Sequence, residues 1–95
     1  MTKGYWIAHA NVTDPDQYKH YAEAAPDVIA AHGGRFLARG GKHQQMEGNG
    51  KPRNVVIEFP TFDDAVNCFN SPGYQAARTI RANAGDEEIV IVEGL

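Results

Sequence analysis

The chain has 95 residues, 42% of them hydrophobic and 22% charged, with a formal net charge of -3. That length sets one domain over residues 1–95, with a single modest core. The mild acidity excludes a nucleic-acid partner, which needs a surplus of Lys and Arg along one face, and the hydrophobic runs exclude a disordered chain.

Residues Gly4 to Val12, GYWIAHANV, are aromatic and branched and predict a strand. Asp14 then serves as a helix N-cap, Pro15 fits the first helical position, and Gln17 sits where a capping box places its third residue. Tyr18, Tyr21, Ala22, Ala25, Val28 and Ile29 recur at helical spacing. Pro26 inside this run predicts a kink or a restart. His32-Gly33-Gly34 ends the helix, with Gly33 in the left-handed conformation.

Arg35 to Gly40 reads as a second strand and Arg53 to Phe59 as a third. Gly48-Asn49-Gly50 between them signals a turn, so the pair is a hairpin. Thr61 with Asp64 opens another helix, whose face is Phe62, Ala65, Val66 and Phe69. Ser71-Pro72 interrupts it and starts a second segment carrying Tyr74, Ala77 and Ile80. Glu88 to Glu93 is a fourth strand. The order β-α-β-β-α-β predicts an α+β, ferredoxin-like fold, with a four-stranded antiparallel sheet and its helices on one face.

Alternation along the strands then divides the sheet. Trp6, Phe36, Ile57 and Phe59 belong to the set that the helices cover. The other face carries Tyr5, Ile7, Leu37 and Val56 with a branched pair from the fourth strand. Isolated soluble chains rarely expose a contiguous apolar patch of this kind. The expected cure is a homodimer packed sheet against sheet, enclosing a barrel-like cavity for a small organic molecule.

His9, Arg39 and Glu58 fall on that partner-facing side by parity. With the turn at Asn49-Gly50, Arg39 and Glu58 lie close to one another across the hairpin. They form either an ion pair that fixes register or the polar groups of a pocket. Tyr74 and Arg78 are one helical turn apart, either capping the mouth of that pocket or serving as a core aromatic and a solvated cation. The scattered histidines have no metal-ligand spacing, so no metal is expected. Cys68, the single cysteine, reads as a small buried hydrophobe and excludes an internal disulfide. No stretch approaches the roughly 20 apolar residues that cross a bilayer. The expectation is a cytoplasmic protein.

GYWIAH, AAHGGRFLARGG, RNVVIEFPTFDDA and SPGYQAAR, in this order, resemble a bacterial family of uncharacterised domains within the dimeric α/β-barrel superfamily. The resemblance implies a ferredoxin-like homodimer and supplies no activity. Superfamily relatives include cofactor-free monooxygenases, muconolactone isomerase-like proteins and haem enzymes, but no histidine here matches a haem ligand, and no cofactor is expected. His9, Arg39, Glu58, Tyr74 and Arg78 are the expected ligand-binding residues. On an enzymatic reading, Arg39 holds a carboxylate or enolate while His9 or Glu58 exchanges a proton. The alternative is a non-catalytic sensor or structural dimer with a filled barrel.

Overall fold

Strand β1 (Gly4–Val12) lies inside the sheet, bonded on both edges. A computed structural model describes residues 1–95. Along β1, Trp6, Ala8 and Ala10 are buried while Tyr5, Ile7 and His9 are only half covered. Helix α1 (Pro15–Ala31) follows, then β2 (Arg35–Arg39), β3 (Arg53–Phe59), α2 (Phe62–Asn70), α3 (Pro72–Ile80) and β4 (Gly85–Glu93). All pairings are antiparallel and the strand order is β2-β3-β1-β4. This is the ferredoxin-like arrangement, with its second helix split at Ser71. The shortest dimension, 17 Å, accommodates one sheet and one helical layer. No helix is long and apolar enough to cross a membrane.

Each helix starts at the expected cap. Asp14 Oδ1 accepts from the Gln17 N–H at 3.2 Å, Thr61 Oγ1 from Asp64 at 3.1 Å and Ser71 Oγ from Tyr74 at 3.2 Å. Such caps contribute about 1 kcal/mol each. Gln17 does not close a capping box. Its amide donates instead to the Ile80 carbonyl, at 2.9 Å, and so ties the start of α1 to the end of α3. Gly33 takes φ +80° where α1 ends, as expected.

Pro26 does not break α1, which runs straight through it. A proline removes the N–H that would bond the carbonyl four residues back. That carbonyl belongs to Ala22, and Arg39 Nη2 donates to it at 2.6 Å. A guanidinium thus replaces the missing amide, and the helix loses no hydrogen bond there.

Arg39 can reach α1 because β2 is bulged. Phe36 pairs with Ile57, but Ala38 pairs with Val56 and Arg39 with Val55. The extra residue reverses the parity of the strand. Arg39 therefore lies on the helix side, not on the partner-facing side that simple alternation gave it. Ala38 moves the other way, to the row of Ile7 and Val56. Gly48-Asn49-Gly50 sits inside a long connection over residues 40–52 instead of forming a tight turn. Strand β4 starts at Gly85, three residues before the expected Glu88, and this brings Glu87 into register with Ala10.

The core is aromatic. Trp6 is 1% exposed and packs edge-on against Tyr74 at 4.9 Å, with Phe59 at 5.2 Å. Its indole N–H donates to the Ala65 carbonyl at 2.9 Å, so the ring is fixed at both ends.

The proline and the arginine should be coupled. Arg39→Met is expected to cost about 1 kcal/mol in the parent chain. In a Pro26→Ala background it should cost close to nothing, because the substituted residue brings its own backbone N–H to the Ala22 carbonyl. Urea denaturation of the four chains measures this, and equal costs in both backgrounds would remove the coupling.

Candidate functional site

The five residues expected to form a site do not converge. His9 lies on the open face, paired with Asn54 and Glu88, its Nε2 3.4 Å from the Glu88 carboxylate. Lys51 holds the other oxygen of Glu88 at 3.3 Å. Glu58 is two rows away on the same face, opposite Tyr5. Its partner is Arg35, at 3.1 Å, and not Arg39; the Tyr5 hydroxyl donates to it at 3.2 Å. Tyr74 is fully buried among the helices, while Arg78 is exposed and lines a polar basin on the surface. For this pair the geometry is that of a core aromatic and a solvated cation.

The enclosed cleft of the chain lies on the helix side, between α1 and the sheet. Its floor follows from register. One row reads Ile91, Trp6, Ile57 and Phe36; the next Ile89, Ala8, Val55 and Arg39; the last Glu87, Ala10 and Arg53. Tyr18, Tyr21, Ala22 and Ala25 of α1 form the roof. The cleft exists because alanines face alanines: Ala8 below meets Ala22 and Ala25 above, leaving space that larger side chains would fill. The void is about 30 Å³, room for two or three waters at about 10–15 Å³ each. Most of its lining is apolar, and its charged residues, Arg39, Arg53 and Glu87, come from the rows nearest the long connection.

Beside Glu87 runs a chain of polar groups that sequence reasoning missed. The Tyr18 hydroxyl donates to Glu87 Oε1 at 2.7 Å. Arg81 Nε lies 3.7 Å from Glu87 Oε2, with the two side chains 11% and 6% exposed. At that separation the pair is a charge contact, and the Arg81 Nε–H makes no hydrogen bond. Arg81 Nη2 reaches the Tyr74 hydroxyl at 3.5 Å, and the Tyr74 and Tyr21 hydroxyls share a 2.7 Å bond. Burial, with the hydrogen bond to Glu87, pushes the Tyr18 phenol well above its ordinary value. Burial, with the neighbouring Tyr74, does the same to Tyr21. Both phenols therefore keep their protons beyond the pH at which an exposed tyrosine ionises. Tyr18 and Tyr21 were legible only as helical-face aromatics, and Glu87 falls one residue before the expected fourth strand. Its place in the row of Ala10 and Arg53 was the missing signal.

A family model described as "Domain of unknown function (DUF1330)" matches residues 3–95. The chain belongs to this family. Among curated proteins none matches this DUF1330 chain. Solved structures share its fold. RPA0582 of Rhodopseudomonas palustris, a protein of unknown function, is 18% identical with a TM-score of 0.74, over 99% of this chain and 83% of that one. SnoaB, a cofactor-independent oxygenase from Streptomyces nogalater, is 12% identical with a TM-score of 0.71, over 97% and 92%. A dimeric ferredoxin-like protein of unknown function from Thermobifida fusca is 22% identical with a TM-score of 0.66, over 99% and 92%. At these identities the likeness of the DUF1330 chain to these structures shows the fold alone.

The raised phenols carry a pH consequence. Above pH ~10 the tyrosines of an unfolded chain ionise, while Tyr18 and Tyr21 of this DUF1330 domain keep their protons. The folded state then binds more protons than the unfolded state, so stability falls as pH rises from there. Absorbance at 295 nm should show these two phenols titrating only together with unfolding. Tyr18→Phe should flatten the alkaline loss, and an unchanged slope would contradict the assignment.

Proposed function

We propose that the protein is a homodimer closed through its open sheet face, and that each protomer binds a small organic molecule in the cleft beneath α1. The observation that carries this reading is the cleft itself, where an apolar, aromatic interior meets three ionisable groups on adjacent rows of the sheet. Pockets for organic ligands combine an apolar wall with a few convergent polar groups in this way.

The open face supports the assembly. Val90, Val92 and Leu37 are 59%, 47% and 49% exposed in the single chain. Ile7 and Val56 join Val90 in the central row, bordered by the Arg35–Glu58 pair on one side and the His9–Glu88–Lys51 group on the other. An apolar centre with a polar rim is the anatomy of a subunit interface. The Thermobifida fusca protein of the same fold is dimeric, which supports a dimer here. The protein should sediment at twice its 10.4 kDa, and Val90→Lys, which puts a charge in the central row, should sediment as a monomer.

The chemistry this cleft supports is proton exchange without a bound cofactor. Glu87, held between the Tyr18 hydroxyl and Arg81, is the group to accept a proton from an acidic C–H or O–H of the bound molecule. On this reading Arg39, which lines the same cleft, holds the anion that results. The fold it shares with a cofactor-independent oxygenase is consistent with such a role. The reading belongs to a reducing cytoplasm, in which Cys68, buried and with its thiol pushed up to about 11, stays inert.

A second reading has one observation in its favour. The void is only about 30 Å³, far below the roughly 300 Å³ of an ordinary ligand pocket, and a purely structural dimer needs no more. Trp6 separates the two readings, because it is the single tryptophan and forms part of the cleft wall. On the binding reading, small aromatic acids and phenols change Trp6 fluorescence in a saturable way, and Ala8→Leu, which fills the floor, abolishes the change. Fluorescence indifferent to the whole panel would leave only the structural dimer.

A further inference from the structure

Building on the ligand-binding reading above, we infer that the molecule taken by the cleft is an organic monoanion, a flat apolar body carrying one carboxylate that docks on Arg53 with Arg39 beside it. Charge decides the matter. Arg81 is matched by Glu87, and Arg35 by Glu58. Arg39 and Arg53 form no ion pair with any carboxylate, although acids outnumber Lys and Arg by 12 to 9 in the chain. Both stand on adjacent rows at the same end of the cleft.

Arg39 keeps N–H groups beyond the one it gives to Ala22, and Arg53 has a buried one with no partner, so both can receive an anion. Arg39 lies 4.5 Å over the Phe36 ring and gives a single hydrogen bond, to the Ala22 carbonyl. Arg53 lies 5.5 Å over the Tyr18 ring, and its Nε–H is buried with no partner at all. A buried donor without an acceptor is costly, and a carboxylate oxygen there would satisfy it with a charge-assisted bond. Gly40 matters here as well, because a Cβ at this position would collide with the Arg53 guanidinium. The backbone has left room for that side chain.

The same feature explains how a void this small admits a ligand. The Arg53 guanidinium lies across the Tyr18 ring of the lining, and drawing it towards a carboxylate uncovers that ring for the ligand's flat body. Such an exchange trades cation–π contact for ion pairing in a partly dry site.

The test uses three matched pairs of probes on the full-length protein: benzoate and benzamide, salicylate and salicylamide, 1-naphthoate and 1-naphthamide. Trp6 fluorescence reads binding, and each acid should bind at least about tenfold tighter than its amide. Arg53→Met should bring acid and amide within about threefold of each other. Arg53→Lys, which keeps the charge but not the fork, should retain part of the preference and serves if the methionine variant fails to fold. Added salt should weaken the acids and not the amides. Amides that bind as tightly as acids in the parent protein would overturn the monoanion while leaving the cleft a ligand site. A preference that survives in Arg53→Met would overturn the role of Arg53. No binding by any of the six would remove the cleft reading and this inference together.

Discussion

Everything in this molecule depends on a sheet that has helices on one side only. Strand β1 is bonded along both edges, so its two sets of residues are committed to opposite environments. Trp6, Ala8 and Ala10 point beneath the helices, and Tyr5, Ile7 and His9 point away. The first set builds the core and the floor of the cleft. The second leaves an apolar centre that a single layer of helices cannot reach. Core, cleft and open face thus follow from one alternation and from the side on which the crossovers run.

Within the helical layer, residue size does the rest. Trp6 fills its row with help from Phe59, Phe69 and Tyr74. One row further on, Ala8 fills almost nothing, and α1 answers with alanines of its own. The next row ends in charge, at Glu87 and Arg53. A carboxylate and a guanidinium beneath a helix are tolerable only where other groups meet their needs. Glu87 has Tyr18 and Arg81; Arg53 has an aromatic face and an unused N–H. That inequality between the two ends of one row is the most informative feature of the site.

The fold was legible because its signals are local. Asp14, Thr61 and Ser71 cap the three helices from within one turn, and the alternation of β1 is strict. The site was not legible, because it depends on pairings between distant strands. Parity placed Arg39 with Glu58, but a single inserted residue in β2 sent Arg39 to the other face and left Arg35 as the partner of Glu58. Nothing in RFLARG marks a bulge. Pro26 pointed to a broken helix because the group that repairs the damage comes from another element. Glu87 fell outside the expected strand because that strand begins earlier than its hydrophobic run. Tyr74 and Arg78 share a helix, but only packing against Trp6 and Tyr21 shows that one is core and the other is not.

The irregularity in β2 also bears on how copies of the chain can meet. β2 is an outer strand, and an outer strand with an even row of free amides and carbonyls invites another chain to add itself laterally. The kink at Phe36–Ala38 interrupts that row, and the exposed excursion over residues 40–52 begins immediately after it. Lateral growth into an endless ribbon therefore finds no straight template on this side. On the proposed assembly, copies meet face to face instead, and a twofold axis closes that contact after two chains.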